Sequence, residues 1–120
     1  MENNILKSTV FGALEKKGKN ITILDLKKFG TFTDYFVIVS GTSNKHVQAI
    51  ADSIKEVNKK NNFPIFGEEG YKEGKWILLD YGDVVTHIFD EEVRDFYDIE
   101  GLWFEAEKID IESLGFEDKT

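Results

Sequence analysis

The residues in this chain that could perform acid–base or metal chemistry are two histidines and a scattered set of carboxylates. His46 and His87 are the only histidines among 120 residues. They lie too far apart in the sequence for the close spacing that is typical of a metal-ligand pair. His87 could serve as a base or a metal ligand, but the sequence favours a partly buried side chain whose hydrogen bonds are satisfied. For His46 it favours a solvated helix residue.

Two aspartates, Asp80 and Asp83, flank the dipeptide at residues 81–82 (YG). They could bind a cation, but a magnesium or calcium site needs several converging oxygens, so turn chemistry is favoured. Residues 41–43 (GTS) precede a predicted helix and could hold an anion at its N-terminus. The Gly-Lys-Ser/Thr signature is missing, so an ordinary helix cap is favoured there. We therefore predict no catalytic residues, no metal site and no cofactor.

The composition predicts an acidic globular domain. Hydrophobic residues make up 41% and charged residues 32% of the chain, and its formal net charge is −8. Direct nucleic-acid binding is disfavoured because counterion release needs many basic side chains, and Arg94 is the single arginine. A basic partner is favoured instead. The lack of cysteine is compatible with the cytoplasm, and neither a secretory signal nor a membrane-spanning apolar run is visible.

Hydrophobic periodicity places helices at residues 4–17 and 44–60 and a short helix from residue 90. Strands are predicted at residues 21–26, 34–40, 76–80 and 83–89, with a short edge strand at 63–66. This order predicts a single-domain α/β fold with a mixed sheet of about five strands and flanking helices. We expect the domain to span residues 1–104. Residues 105–120 carry six acidic and two basic residues, and we expect a frayed or weakly helical acidic tail there.

The two strands around residues 81–82 predict a β-hairpin with a two-residue turn. Trp76 would then face His87 across the strands, and Asp80 would face Asp83. Side chains alternate between the two faces of a strand, so one face of the hairpin is aliphatic and suits the core, and the other is mixed. The mixed face carries Trp76, Leu78, Asp80, Asp83, Val85 and His87. An aromatic residue with a charged rim is typical of an interface, although composition alone favours a core tryptophan and ordinary turn aspartates.

Three segments together resemble the ribosomal silencing factor family (RsfS, also known as the Iojap or DUF143 family). They are residues 34–43 (DYFVIVSGTS), residues 69–70 with 76–89 (WILLDYGDVVTHIF), and residues 94–97 (RDFY) with 102–103. Their order and spacing match the family over about residues 4–103, which leaves the acidic tail outside the resemblance.

The resemblance implies a nucleotidyltransferase-like fold without catalytic carboxylates. Family members bind ribosomal protein L14 (uL14) on the large ribosomal subunit, block its association with the small subunit, and repress translation under nutrient limitation. The resemblance therefore implies a cytoplasmic protein that is not an enzyme and that acts by steric occlusion. A divergent nucleotidyltransferase-like or metal-dependent enzyme stays open as an alternative, as does a homodimeric interaction protein with another target, paired through the edge strand 63–66 or the apolar hairpin face.

With the resemblance, the mixed hairpin face is predicted to bind protein. Trp76 would be the apolar anchor, with Leu78 beside it. Other side chains would face basic or polar groups of the partner. The predicted binding residues are Glu69, Gly70, Trp76, Leu78, Asp80 and His87.

Overall fold

The computed structural model describes residues 4–117, which form a β-sheet, two long helices that pack on one of its faces, and two short helices. The helices are α1 (Asn4–Glu15), α2 (Asn44–Lys60), α3 (Glu91–Tyr97) and α4 (Ile99–Leu102). The strands are β1 (Lys19–Asp25), β2 (Tyr35–Gly41), β3 (Gly67–Glu69), β4 (Trp76–Asp80), β5 (Val84–Asp90) and β6 (Glu107–Ile109). Short 3₁₀ turns occupy Lys27–Phe29 and Ile111–Leu114.

The sheet is mixed, with the strand order β3-β4-β5-β2-β1-β6. Strands β2 and β5 are parallel, and every other neighbouring pair is antiparallel. The apolar strand β2 lies in the middle, as its near-continuous hydrophobic sequence predicted. The predicted mixed α/β fold is confirmed, with six strands where about five were expected.

Helices α1 and α2 pack against one sheet face and enclose the main core. Large aliphatic side chains that face this layer are fully buried, including Val39, Val47, Ile50, Ile54, Ile77, Leu79 and Ile88. The hairpin residues predicted for the core therefore lie in it. Their burial supplies the main stabilisation of the domain, at roughly 25 cal/mol per Å² of apolar area.

The N-terminus of α2 is capped within the chain. Ser43 Oγ accepts a hydrogen bond from the His46 amide at 3.1 Å, which confirms the predicted cap. The Thr42 amide donates to His46 Nδ1 at 2.9 Å, and His46 Nε2 lies 2.7 Å from the carbonyl oxygen of Lys16. His46 therefore ties the end of α1 to the start of α2, and the amides of Thr42 and His46 are already engaged within the chain.

The hairpin register differs from the prediction by two positions. Trp76 pairs with Phe89, and His87 pairs with Leu78. The turn is longer than two residues because the Asp83 carbonyl accepts hydrogen bonds from the amides of Asp34 and Tyr35, which draws Asp83 out of the ladder. A shift of two residues preserves the alternation, so the side chains still sort to the predicted faces.

The predicted edge strand at 63–66 is wrong in position. The edge strand is β3, which starts at Gly67. Pro64 has no amide hydrogen to donate, and the Phe63 amide donates to the carbonyl of Asn58 at the end of α2. Regular pairing begins only where Gly67 lies opposite Asp80.

The expected frayed tail is also wrong over the part of it that the structure describes. Strand β6 pairs antiparallel with β1, with Ile109 opposite Ile23. Ile111 follows it into a buried cluster with Leu6 and Val10. The acidic segment thus completes the sheet, and its last residues, 118–120, lie outside the described residues.

Within residues 4–117, none of the helices has both the length and the apolar character that a bilayer crossing requires.

Truncating Ile111 tests the structural role of the acidic segment. We expect Ile111→Ala to lower the free energy of unfolding by about 2–4 kcal/mol, because it leaves a cavity between α1 and β1. Urea unfolding would measure this loss. The exposed neighbour Ser113→Ala is the control, and equal stability of the two variants would contradict the packing described here.

Candidate functional site

The sheet face opposite α1 and α2 is only partly covered. At one end, Val93, Ile99 and Trp103 from the α3–α4 region pack over it. The other end stays accessible, and we name it the open sheet face. It consists of Phe36, Glu69, Leu78, Asp80 and the outer edge of Trp76. Glu69 is exposed and the other four are half-buried.

Arg94 holds the covering helices in place. Its side chain is buried and donates to the Asn20 carbonyl at 2.7 Å, to Ser40 Oγ at 2.9 Å and to Thr22 Oγ1 at 3.1 Å. It also forms a two-pronged pair with the Glu100 carboxylate, at 2.8 and 3.2 Å. The hydrogen bonds from Arg94 lower the pKa of Glu100. The sequence analysis did not predict this role. The available signal was that Arg94 is the single arginine among fifteen basic residues.

Trp76 lies within an aromatic cluster. Its ring stacks on Phe89 at a centroid distance of 4.9 Å and contacts Tyr97 at 4.8 Å. Its indole Nε1 donates to His87 Nδ1 at 3.1 Å. Much of the ring therefore serves the fold, and only its outer edge is available to a partner.

His87 lies beneath this surface. It is 4% exposed, and the Phe36 ring packs edge-on against it at 4.5 Å. Burial lowers its pKa to about 4, so the ring is neutral near pH 7. Within the described residues its Nε2 has no hydrogen-bond partner. The structure thus corrects the expectation that His87 faces a partner, because His87 supports Trp76 from below.

The two carboxylates lie near Leu78 on the open sheet face. Glu69 is the cross-strand neighbour of Leu78. Asp80 Oδ1 accepts a hydrogen bond from the Gly82 amide at 2.8 Å, so Asp80 shapes the turn as the alternative interpretation held, yet it stays half-exposed. The result is an apolar centre with an acidic rim, which suits a basic and partly apolar partner.

Gly70 has a backbone role. Its φ is +84°, and a Cβ there would lie 2.1 Å from the carbonyl oxygen of Trp76. Only glycine permits this close approach of the β3–β4 connection. Of the six predicted binding residues, the structure therefore brings four onto the open sheet face and places Gly70 and His87 in support of it.

The residues between 4 and 117 include no group of three or more histidine or acidic side chains placed to hold a metal ion. Asp80 is engaged by the Gly82 amide, and His87 is enclosed by aromatic rings.

Comparison with known proteins gives a consistent result. A family model described as "Ribosomal silencing factor during starvation" matches residues 2–120, so the match includes the acidic segment that the sequence motifs left outside the resemblance. The chain is 37% identical over 111 residues to the ribosomal silencing factor RsfS of Bacillus subtilis, which covers 92% of this chain and 94% of that protein.

Two further relatives extend the comparison. A crystal structure of a protein from Chromobacterium violaceum superposes with a TM-score of 0.82 at 39% identity, covering 86% of this chain and 87% of that one. The mouse protein named "Mitochondrial assembly of ribosomal large subunit protein 1" is 30% identical over 92 residues, which is 74% of this chain and 40% of the mouse protein.

The buried His87 predicts acid sensitivity. Its folded pKa of about 4 lies below the ordinary 6.5, so the unfolded chain binds a proton that the folded chain excludes. The stabilisation that neutral His87 contributes is therefore fully present above pH 6.5 and is lost as the pH falls toward 4. We expect the free energy of unfolding to be lower at pH 4.5 than at neutral pH by on the order of 2–3 kcal/mol.

Urea unfolding at pH 7 and pH 4.5 would measure this loss. His87→Gln is the matched variant, because glutamine does not titrate and keeps an acceptor for the Trp76 indole. We expect a smaller pH dependence in the variant, and equal losses in the two proteins would reject the assignment.

Proposed function

This chain belongs to the ribosomal silencing factor family, and on that basis we propose that it binds ribosomal protein L14 on the large ribosomal subunit through the open sheet face. The bound protein blocks association with the small subunit and so represses translation under nutrient limitation. It acts by steric occlusion in the cytoplasm and is not an enzyme.

The observation that carries the proposal is the uneven covering of the sheet. One face is sealed by two long helices, whereas Phe36, Leu78 and the edge of Trp76 stay accessible on the other. Contiguous apolar surface with a polar rim is typical of a protein-binding site. The same face carries Trp76, Leu78 and Asp80, which belong to the motif residues 76–89 of the family resemblance.

Charge supports a protein partner. Glu69 and Asp80 place two carboxylates beside the apolar centre, and the whole chain carries a net charge of −8. Ribosomal RNA would be repelled by this surface, whereas a basic ribosomal protein would be attracted and oriented by it. Direct contact with nucleic acid is therefore minor in the proposed complex.

Occlusion needs only a stable interface. A standard protein interface covers roughly 800 Å² of each partner, a small part of the 7018 Å² surface of this protein. The alternative of a divergent nucleotidyltransferase or metal-dependent enzyme needs converging carboxylates, and the described residues include no group of three or more acidic or histidine side chains placed to hold a metal ion.

Replacing Leu78 tests the apolar centre. We expect Leu78→Ser to weaken binding to purified large subunits about tenfold, which corresponds to ~1.4 kcal/mol, and to weaken inhibition of subunit joining in parallel. Sucrose-gradient co-sedimentation and light scattering would measure the two effects. Trp76→Ala is a poorer test, because it also removes the stack on Phe89 and the bond to His87.

The matched control is Phe11→Ser on α1, which removes a 45% exposed apolar side chain from the opposite layer. We expect this control to bind like the unmodified protein. If Leu78→Ser is folded and binds equally well, the open sheet face is not the ribosome-binding surface.

Neutralising the acidic rim tests the electrostatic part of the proposal. The Glu69→Gln/Asp80→Asn double variant should bind large subunits more slowly and with a weaker dependence on salt concentration. Asparagine keeps an oxygen that can accept from the Gly82 amide, so the turn is retained. Glu15→Gln/Glu56→Gln on α1 and α2 removes the same charge from the helix layer, and a similar loss of rate there would show that the location of the charge is irrelevant.

A further inference from the structure

The segment that covers one end of the sheet carries a second exposed apolar surface, which we name the α3–α4 corner and define as residues 91–105. Phe96 is 81% exposed, Leu102 77%, Phe104 76% and Tyr97 52%. Four of the eight large apolar side chains exposed between residues 4 and 117 thus lie within nine positions. The inward-facing residues Val93, Ile99 and Trp103 already supply the packing against the sheet, so the fold does not need the outward ones.

The corner is strongly acidic. Residues 91–105, together with Asp90 just before them, contain seven acidic residues and Arg94, and the arginine is buried and paired with Glu100. Asp90 and Asp98 cap α3 and α4 by accepting backbone hydrogen bonds. Four exposed carboxylates remain that form no ion pair within residues 4–117, and these are Glu91, Glu92, Asp95 and Glu105.

A small cavity of about 230 Å³ lies at the corner, lined by Phe29, Leu102, Trp103, Phe104 and Glu105. It is smaller than the roughly 300–1,000 Å³ of small-molecule sites, so a single large side chain suits it better than a cofactor. Aromatic walls beside a carboxylate fit arginine or lysine, through cation–π attraction and a charged hydrogen bond. The Lys28 ammonium already lies 5.3 Å from the Phe29 ring centre, so this ring accepts a cation within the protein itself.

The corner is continuous with the open sheet face, because the Tyr97 ring contacts the Trp76 ring at 4.8 Å. A partner that covers Trp76 therefore reaches Tyr97 as well. The four unpaired carboxylates would repel a phosphate backbone and attract a basic polypeptide.

We infer that the α3–α4 corner is a second contact with the large ribosomal subunit, and that it receives a polypeptide segment in which arginine or lysine flanks a large apolar side chain. The inference rests on the proposed function, since the same particle would occupy both surfaces. It adds the chemistry of the second contact, which is protein and not ribosomal RNA.

Site-specific photocrosslinking tests what touches the corner. Phe104 would be replaced by the photoreactive, similarly apolar p-benzoylphenylalanine, and the protein would be bound to purified large subunits and irradiated. We expect an adduct with a ribosomal protein, which protease removes and ribonuclease leaves intact. The same amino acid at Phe11 on α1 is the control, and it should give little or no adduct.

Three outcomes would overturn the inference. They are an adduct with ribosomal RNA, an adduct between two copies of this chain, and no adduct from a complex that co-sediments with large subunits. If the unmodified protein fails to co-sediment, the proposed function itself fails, so the two failures are distinguishable.

Binding measurements give an independent test that does not need the crosslinker. The Leu102→Ser/Phe104→Ser variant alters only exposed positions, so its thermal unfolding should match that of the unmodified protein. We expect its affinity for large subunits to fall roughly fivefold. Glu92→Gln/Asp95→Asn/Glu105→Gln should reduce the association rate and its salt dependence. If both variants bind like the unmodified protein, the corner does not contact the particle.

Discussion

One buried guanidinium determines which part of the sheet a partner can reach. Helices α3 and α4 have seven and four residues, far fewer than the roughly 12–15 that an isolated helix needs for even marginal stability in water. Arg94 joins them to β1 and β2 through three oxygen acceptors and the Glu100 carboxylate. A buried charge is tolerated only when it is paired and hydrogen-bonded, and Arg94 meets both conditions. Its network thus fixes the boundary between the covered end of the sheet and the open sheet face.

The aromatic cluster holds the Trp76 side chain rigidly at this boundary. Trp76 is held by the stack on Phe89, by Tyr97, and by its hydrogen bond to a neutral His87. A side chain already held in one orientation loses little freedom when a partner covers it, and this loss is a large part of the free-energy cost of binding. The buried histidine therefore contributes to binding in the proposed complex without touching the partner. This explains how a motif residue can matter at an interface while lying beneath it.

Local patterns in the sequence predicted α2, the central strand and the sorting of the hairpin side chains, because periodicity depends only on neighbouring residues. The features that the sequence did not reveal depend on distant partners. The hairpin register is set by Asp34 and Tyr35, which bind the Asp83 carbonyl from another part of the chain. The three residues of β6 are too few and too charged to show strand periodicity. At the candidate site, the predicted alternation placed Trp76, Leu78 and Asp80 correctly on one face. A partly buried His87 was favoured from the residues, whereas the packing of Phe36 against it is a contact that no local pattern encodes.

The distribution of charge along the chain bears on how the protein would approach its partner. Residues 1–79 contain twelve basic and nine acidic residues, whereas residues 80–120 contain three basic and fourteen acidic residues. The net charge of −8 therefore combines +3 in the first part with −11 in the second. The second part includes Asp80 on the open sheet face and the whole α3–α4 corner, while α1 and α2 belong to the first part. A charge distribution this uneven favours encounters in which the acidic part of the chain meets a basic surface, and salt would weaken that preference. In the proposed complex, the carboxylates of the open sheet face and of the α3–α4 corner would provide both steering and contact, and the helix layer would project from the large subunit.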